Sequence, residues 1–124
     1  MRRQPGGKQM AYVQGYVAAV PDENRDAFIE SSVVMCAMMK EFGALQAVDC
    51  WGADVPEGEL TSFPKAVQKK DGETVTFSWA VWPDKATADA AMEKMMADPR
   101  MKADEMPFDG KRLIFGGFES LGEI

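Results

Sequence analysis

Two adjacent polar residues, Asp49 and Cys50, interrupt an otherwise largely apolar stretch from Leu45 to Gly52. Neighbouring side chains of a strand point to opposite faces, so one of the pair looks toward a helix layer and the other toward the far side of the sheet. An aspartate enclosed by apolar groups has its charged form disfavoured, which is the usual tuning of a catalytic proton acceptor. The competing reading pairs Asp49 with an arginine or lysine at a sheet edge, because ion-pair networks perturb carboxylates too. Cys50 has no basic neighbour in sequence to activate it, and both Cys36 and Cys50 read as small buried hydrophobes.

Tyr16, Ser78 and Arg112 are further polar groups on central strand positions, able to converge on a small oxygenated ligand. Arg112 joins Asp49 as a catalytic candidate, since a guanidinium forks two parallel hydrogen bonds onto a carboxylate; its alternative is an ion pair with one of the many acids. Trp51, Trp79 and Trp82 could wall an aromatic or lipophilic ligand, with Trp79 grouped among the ligand-binding candidates, yet tryptophan serves equally in a core or an interface.

Other chemistries lack their residues. The chain has no histidine, which excludes a histidine base, a histidine-ligated haem and any histidine metal site. Two isolated cysteines fill no zinc site. Asp98, Asp104, Glu105 and Asp109 do not follow the spacing of a calcium loop and read as a solvated segment. The ten methionines, with Met35, Met39, Met92 and Met95 at helical spacing, read as core filling. No cofactor and no metal are expected.

The elements that hold these residues follow from periodicity. Ala11 to Val20 alternates as a strand and stops at Pro21. Asp22 is positioned to cap a helix from Glu23 to Phe42, with Gly43 supplying a left-handed exit. The expected core face of that helix is Phe28, Ser32, Met35, Cys36, Met39 and Phe42, with Val34 and Met38 pointing elsewhere, so its middle is apolar nearly all round and needs cover on more than one side. Leu45 to Gly52 is a second strand, and Thr74 to Trp82 a third, with Val75, Phe77, Trp79 and Val81 sharing a face. The Ala53 to Glu73 excursion between them is long for a hairpin, which points to function or added interface. Asp84 caps a second helix, Lys85 to Ala97, packing through Ala88, Ala91, Met92 and Met95. After the Asp109-Gly110 turn, Arg112 to Leu121 is the fourth strand. Its Gly116-Gly117 pair marks a place where a backbone comes close, with a twofold partner favoured over a ligand.

The order β-α-β-β-α-β is the split unit of α+β ferredoxin-like folds, an antiparallel four-stranded sheet with both helices on one face. The other face is bare. Tyr12, Tyr16, Trp51 and Trp82 would leave an apolar patch on such a sheet, and sheet-to-sheet pairing as a homodimer covers it.

Composition is consistent with one domain over residues 10–124, preceded by a disordered extension over 1–9. That extension carries Arg2, Arg3 and Lys8, leaving 11 basic against 20 acidic residues, a net of −9, over the remainder. Such a body repels phosphate backbones, so no nucleic-acid partner is expected. The longest apolar run, Val33 to Met39, cannot span a bilayer, and a cytoplasmic protein without a membrane partner is expected.

Several segments carry a family resemblance: Met10-Ala11-Tyr12-Val13, Val55-Pro56 on through Thr61-Ser62-Phe63-Pro64-Lys65-Ala66-Val67, Val75 to Trp79, Met96-Ala97-Asp98-Pro99-Arg100, and Met106 to Phe118. From Met10 onward the chain resembles the YbaA-like family of small bacterial proteins, a domain of unknown function within the dimeric α+β barrel superfamily. The resemblance implies that fold and a homodimer, and no particular reaction. The superfamily includes cofactor-free monooxygenases, haem-binding and haem-degrading enzymes, lactone isomerases and stress proteins without known chemistry. Two classes of function therefore stand side by side. One is binding of a small organic molecule in a cavity by the sheet, extended to a cofactor-independent oxygenase or isomerase that uses a carboxylate. The other is a structural or stress-related dimer without chemistry.

Overall fold

A computed structural model describes residues 11–101 and 106–122. The expected extension over 1–9, together with Asp104 and Glu105, lies outside the described residues. Strands β1 (Tyr12–Pro21), β2 (Gln46–Trp51), β3 (Glu73–Trp82) and β4 (Ile114–Glu119) form one antiparallel sheet in the order β2-β3-β1-β4. Helices α1 (Arg25–Glu41) and α3 (Lys85–Met96) provide the two long connections, and a single turn of helix, α2 (Phe63–Ala66), lies in the excursion between β2 and β3. This is the anticipated α+β β-α-β-β-α-β arrangement.

Local signals set most boundaries. The Asp84 carboxylate accepts from the Thr87 amide at 2.8 Å and starts α3, while Gly43 leaves α1 at φ +117°. The entry to α1 departs from expectation. Asp22 makes no capping bond; it lies in a 3-10 turn over Asp22–Asn24 and accepts from the Thr74 hydroxyl, so α1 begins at Arg25. Similarly, Arg112 is not in β4 but closes a 3-10 turn, Gly110–Arg112, initiated by the Asp109 side chain.

The register assigns every strand residue to a face. Tyr12, Gln14 and Tyr16 lie with Ala47, Asp49, Trp51, Ser78, Ala80 and Trp82 on the helix side. Here Ala44, Ala80, Trp82, Ala88 and Ala91 form a buried cluster, flanked by Tyr12, Met39, Phe42 and Met92. Small residues at Ala80, Ala88 and Ala91 let α3 approach the sheet closely over Trp82, whose side chain is fully buried. Met38 is also fully buried, contrary to the expectation that it points away from the core; the packing covers a wider arc of α1 than one stripe, leaving Val33 and Val34 outside.

Val13, Gly15, Val17, Phe77, Trp79, Val81, Ile114, Gly116 and Phe118 share the opposite face. Tyr12, Tyr16, Trp51 and Trp82 therefore do not furnish the bare face as anticipated: alternation turns all four toward the helices. The bare face is still apolar, built instead from Phe77, Trp79, Phe118 and aliphatic neighbours. The excursion covers only one end of it. Val67 is fully buried against Val17, Ala19 and Val75, with Val55 alongside, and Phe63 meets Phe77 edge-on with ring centroids 5.8 Å apart. What remains open is an apolar groove of about 630 Å³.

Candidate functional site

Register places Asp49 opposite Ser78 and Ser78 opposite Tyr16, so the three form one row across β2, β3 and β1, about 5 Å from strand to strand. Alternation directs that row into the layer beneath α1. On the helix, Ser32 and Cys36 are one turn apart and face it. The Cys36 thiol donates to Asp49 Oδ2 at 3.7 Å and lies 3.9 Å from Ser32 Oγ. Burial pushes the Cys36 pKa up, and the negative charge of Asp49 adds to the shift. The thiol is therefore a poor nucleophile.

Asp49 forms no ion pair among the described residues, so the competing reading of a charge neutralised at the sheet edge does not describe its surroundings. Ser78 is 8% exposed, and no hydrogen bond to its hydroxyl occurs among the described residues. Tyr16 donates its hydroxyl to Gln14 Oε1 at 2.9 Å, and the same oxygen accepts from Trp82 Nε1 at 2.9 Å. Burial first, then Tyr12 and Asp49, push the Tyr16 pKa up to about 12, so it remains a neutral phenol through the physiological range. Gln14 was not anticipated as a site residue; its period-two spacing from Tyr12 and Tyr16 was the available signal.

An aromatic group closes one end of the layer. Trp51, two residues from Asp49 and on the same face, packs on Phe28 with centroids 6.0 Å apart, and Phe28 meets Phe108 at 6.4 Å. The Arg25 guanidinium lies 5.4 Å from the Trp51 ring, and Asn24 donates to the Pro107 carbonyl at 2.9 Å, holding the segment around Phe108 against the start of α1.

The remaining candidates lie elsewhere. Trp79 is on the opposite sheet face, tilted against Phe77 with ring centroids 5.7 Å apart, with its indole donating to Gln46 Oε1 at 2.9 Å. Arg112 is at the far end of the ladder, next to Glu73, which is paired with Pro21; five residues of β3 separate Glu73 from Ser78, about 17 Å. Its N–H groups go to both Glu73 oxygens, to Asp109 Oδ2 and to the Gln68 carbonyl. Tyr16, Ser78, Trp79 and Arg112 thus do not converge on one ligand. Cys50, opposite Phe77, faces away from the helices.

The glycine pair also divides. A Cβ on Gly117 would lie 1.7 Å from Tyr12 Oη, so the room expected for a partner or ligand is filled by this chain's own tyrosine. Gly116 pairs with Gly15 on the open face and keeps that face low at its centre. Of the loop acids, Asp98 is bound by Arg100 and Asp109 by Arg112. Among the described residues, no three cysteine or carboxylate side chains come together as a metal site, and no helix is long and apolar enough to cross a membrane.

Comparison with known proteins agrees with this architecture. The chain is 52% identical over 114 residues to the uncharacterized protein YbaA of Escherichia coli strain K12, covering 90% of this chain and 97% of that protein. The same identity and coverage hold for YbaA of Shigella flexneri. A crystal structure of a dimeric ferredoxin-like protein from an uncultured marine organism superposes with a TM-score of 0.61 at 11% identity, covering 94% of this chain and 100% of that one. Residues 11–110 match the model of a family described as protein of unknown function (DUF1428), and the chain belongs to that family.

Proposed function

We propose that this protein is a homodimer that binds a small organic molecule on the helix side of each sheet, against the row Asp49, Ser78 and Tyr16. The observation that carries the binding reading is Ser78: the residue is 8% exposed and its hydroxyl makes no hydrogen bond among the described residues, yet no buried side-chain oxygen there is left without a partner, so this hydroxyl is open to solvent beside Asp49. A polar group that is open to solvent at the edge of an otherwise buried row is available to orient a ligand by a hydrogen bond. Asp49 supplies an acceptor beside it, and Phe28 with Trp51 offers an apolar wall. The homodimer reading draws on the open apolar face and on the dimeric state of the structural neighbour.

The test is native mass spectrometry of the full chain purified from its own host, beside a Ser78→Val variant. Wild type should carry a retained small molecule and twice the chain mass, and Ser78→Val should keep the dimer but lose the molecule. Ligand-free wild type, or equal retention by the variant, overturns the site.

One observation favours a second reading, in which Asp49 takes a proton from the bound molecule. Among the described residues its carboxylate is in no ion pair and accepts from the Cys36 thiol. An oxygenase or isomerase of this kind would lose nearly all turnover in Asp49→Asn while retaining ligand; equal turnover in that variant excludes the carboxylate as base.

A further inference from the structure

Helix α1 keeps an apolar strip on the side away from the sheet. Val33 is 66% exposed, Ile29 44% and Val34 40%, and Ala37 is exposed as well. Ile29, Val33 and Ala37 follow one another at four-residue spacing, so they form a continuous ridge where an ordinary surface helix carries polar groups. The strip ends in charges of opposite sign. Asp26 precedes Val33 by seven residues and Lys40 follows it by seven, two turns in each direction, so all three share a face. Among the described residues neither Asp26 nor Lys40 is in an ion pair, whereas neighbouring Glu41 is bound by Arg100.

We infer that α1 pairs with α1 of a second copy of this chain, antiparallel about a twofold axis at Val33. That axis carries each residue onto the one equally far beyond Val33. Val33 meets its own equivalent, Ile29 lies beside Ala37 of the second copy, and Asp26 lies beside Lys40 of the second copy. The Ile29–Ala37 and Asp26–Lys40 contacts each occur twice, and Val33 meets Val33 once on the axis. Ala37 is small enough to let the helices approach, and Glu30, one turn from Asp26, adds a second acid near the incoming lysine. A parallel pair would set Asp26 on Asp26 and Lys40 on Lys40, so the charge pattern selects the antiparallel one. The strip is small beside the roughly 800 Å² per partner of a standard interface, and the association is correspondingly weak. Since α1 and the open sheet face lie on opposite sides of the molecule, this contact does not depend on the sheet-to-sheet dimer.

Light scattering on the full chain across roughly 10 to 500 µM at low salt tests the inference. The wild-type mass rises with concentration, and Val33→Glu abolishes the rise. Asp26→Lys or Lys40→Glu each lowers the association constant roughly tenfold, and the double variant recovers most of it because the pair is restored with its signs exchanged. A flat wild-type mass, a Val33→Glu variant that associates as well as wild type, or a double variant no better than the singles overturns it. Whether the sheet faces pair sets the starting mass and leaves this pattern unchanged.

Discussion

Arg112 grips Glu73 fork to fork, its Nη1 and Nη2 each donating to a different carboxylate oxygen at 2.7 Å. The two side chains are 13% and 8% exposed. Around this pair, Asp109 Oδ2 accepts from Arg112 Nε at 3.1 Å, the Gln68 carbonyl accepts from Nη1 at 3.0 Å, and the Lys70 amide donates to Glu73 at 2.7 Å. One guanidinium thus ties the turn before β4 to the loop before β3, two segments far apart in sequence. That arrangement assigns Arg112 a role in holding the sheet's end together.

The pair makes stability depend on pH. Hydrogen bonds from Arg112 hold Glu73 down at about 2, against an ordinary value near 4.5. A carboxyl with a depressed native pKa stabilises fully above the unfolded value and loses that contribution as pH falls from about 4.5 through about 2. Glu73→Gln should therefore melt roughly 5 °C below wild type at pH 7, and the gap should narrow steadily below pH 4.5. Calorimetry across that range checks it; a gap that is constant with pH shows that the ionised pair is not its source.

Gly117 is required by Tyr12. An alanine methyl there would overlap the phenol ring, with Oη 1.7 Å and Cζ 2.4 Å from the ideal Cβ, so Gly117→Ala forces the ring aside and costs about 1–3 kcal/mol. At Gly116 the nearest atom is the tip of Phe118 at 3.3 Å, and alanine is better tolerated. Denaturation of Gly117→Ala in a Tyr12→Ala background should show most of its cost gone. Additive losses would separate the two residues.

Met38 and Val34 make a contrast within one helix. Met38 is fully buried and Val34 is 40% exposed. Met38→Ala should destabilise by about 2–5 kcal/mol, whereas Val34→Ala should stay within about 1 kcal/mol. Urea titration of both variants decides whether α1 is packed over this wider arc; similar midpoints would restore the narrower stripe.

How much of this was legible follows from what alternation encodes. Period two shows that Asp49 and Cys50 face apart and that Val75, Phe77, Trp79 and Val81 face together, but the same period fits either assignment of the faces. Residue size marks the face only in the middle of β3, where Ser78 and Ala80 alternate with Phe77 and Trp79; toward the strand ends the helix side carries Tyr12, Tyr16, Trp51 and Trp82, so size along a single strand does not decide it. The face assignment separates Tyr16 and Ser78 from Trp79, so candidates that looked equivalent on a strand diagram divide between two sides of the sheet. Arg112 was misplaced for another reason, because the 3-10 turn begun by Asp109 consumes three residues before β4 starts. The caps at Asp84 and Gly43 were legible because they act within one helical turn. The Asp49–Cys36 contact joins residues of different elements and needed the packing of α1 on β2 to bring it about.

That contact also supplies a direct probe of the proposed site. Burial, then the charge of Asp49, raises the Cys36 pKa, so the thiol should react slowly with iodoacetamide near pH 8. Cys50→Ser removes the other thiol and leaves Cys36 alone to be measured. In that background Asp49→Asn takes away the repelling charge while keeping an acceptor for the S–H group, and alkylation should accelerate several-fold. It should stay slower than that of a free thiol, because the partial burial of Cys36 between α1 and the sheet is unchanged. An accompanying loss of native melting behaviour would attribute the faster reaction to opening of the layer, so the rate is read beside a thermal melt. An unchanged rate at an unchanged melting temperature would mean that the carboxylate does not face the thiol, and the row of Asp49, Ser78 and Tyr16 would lose its place beneath the helix.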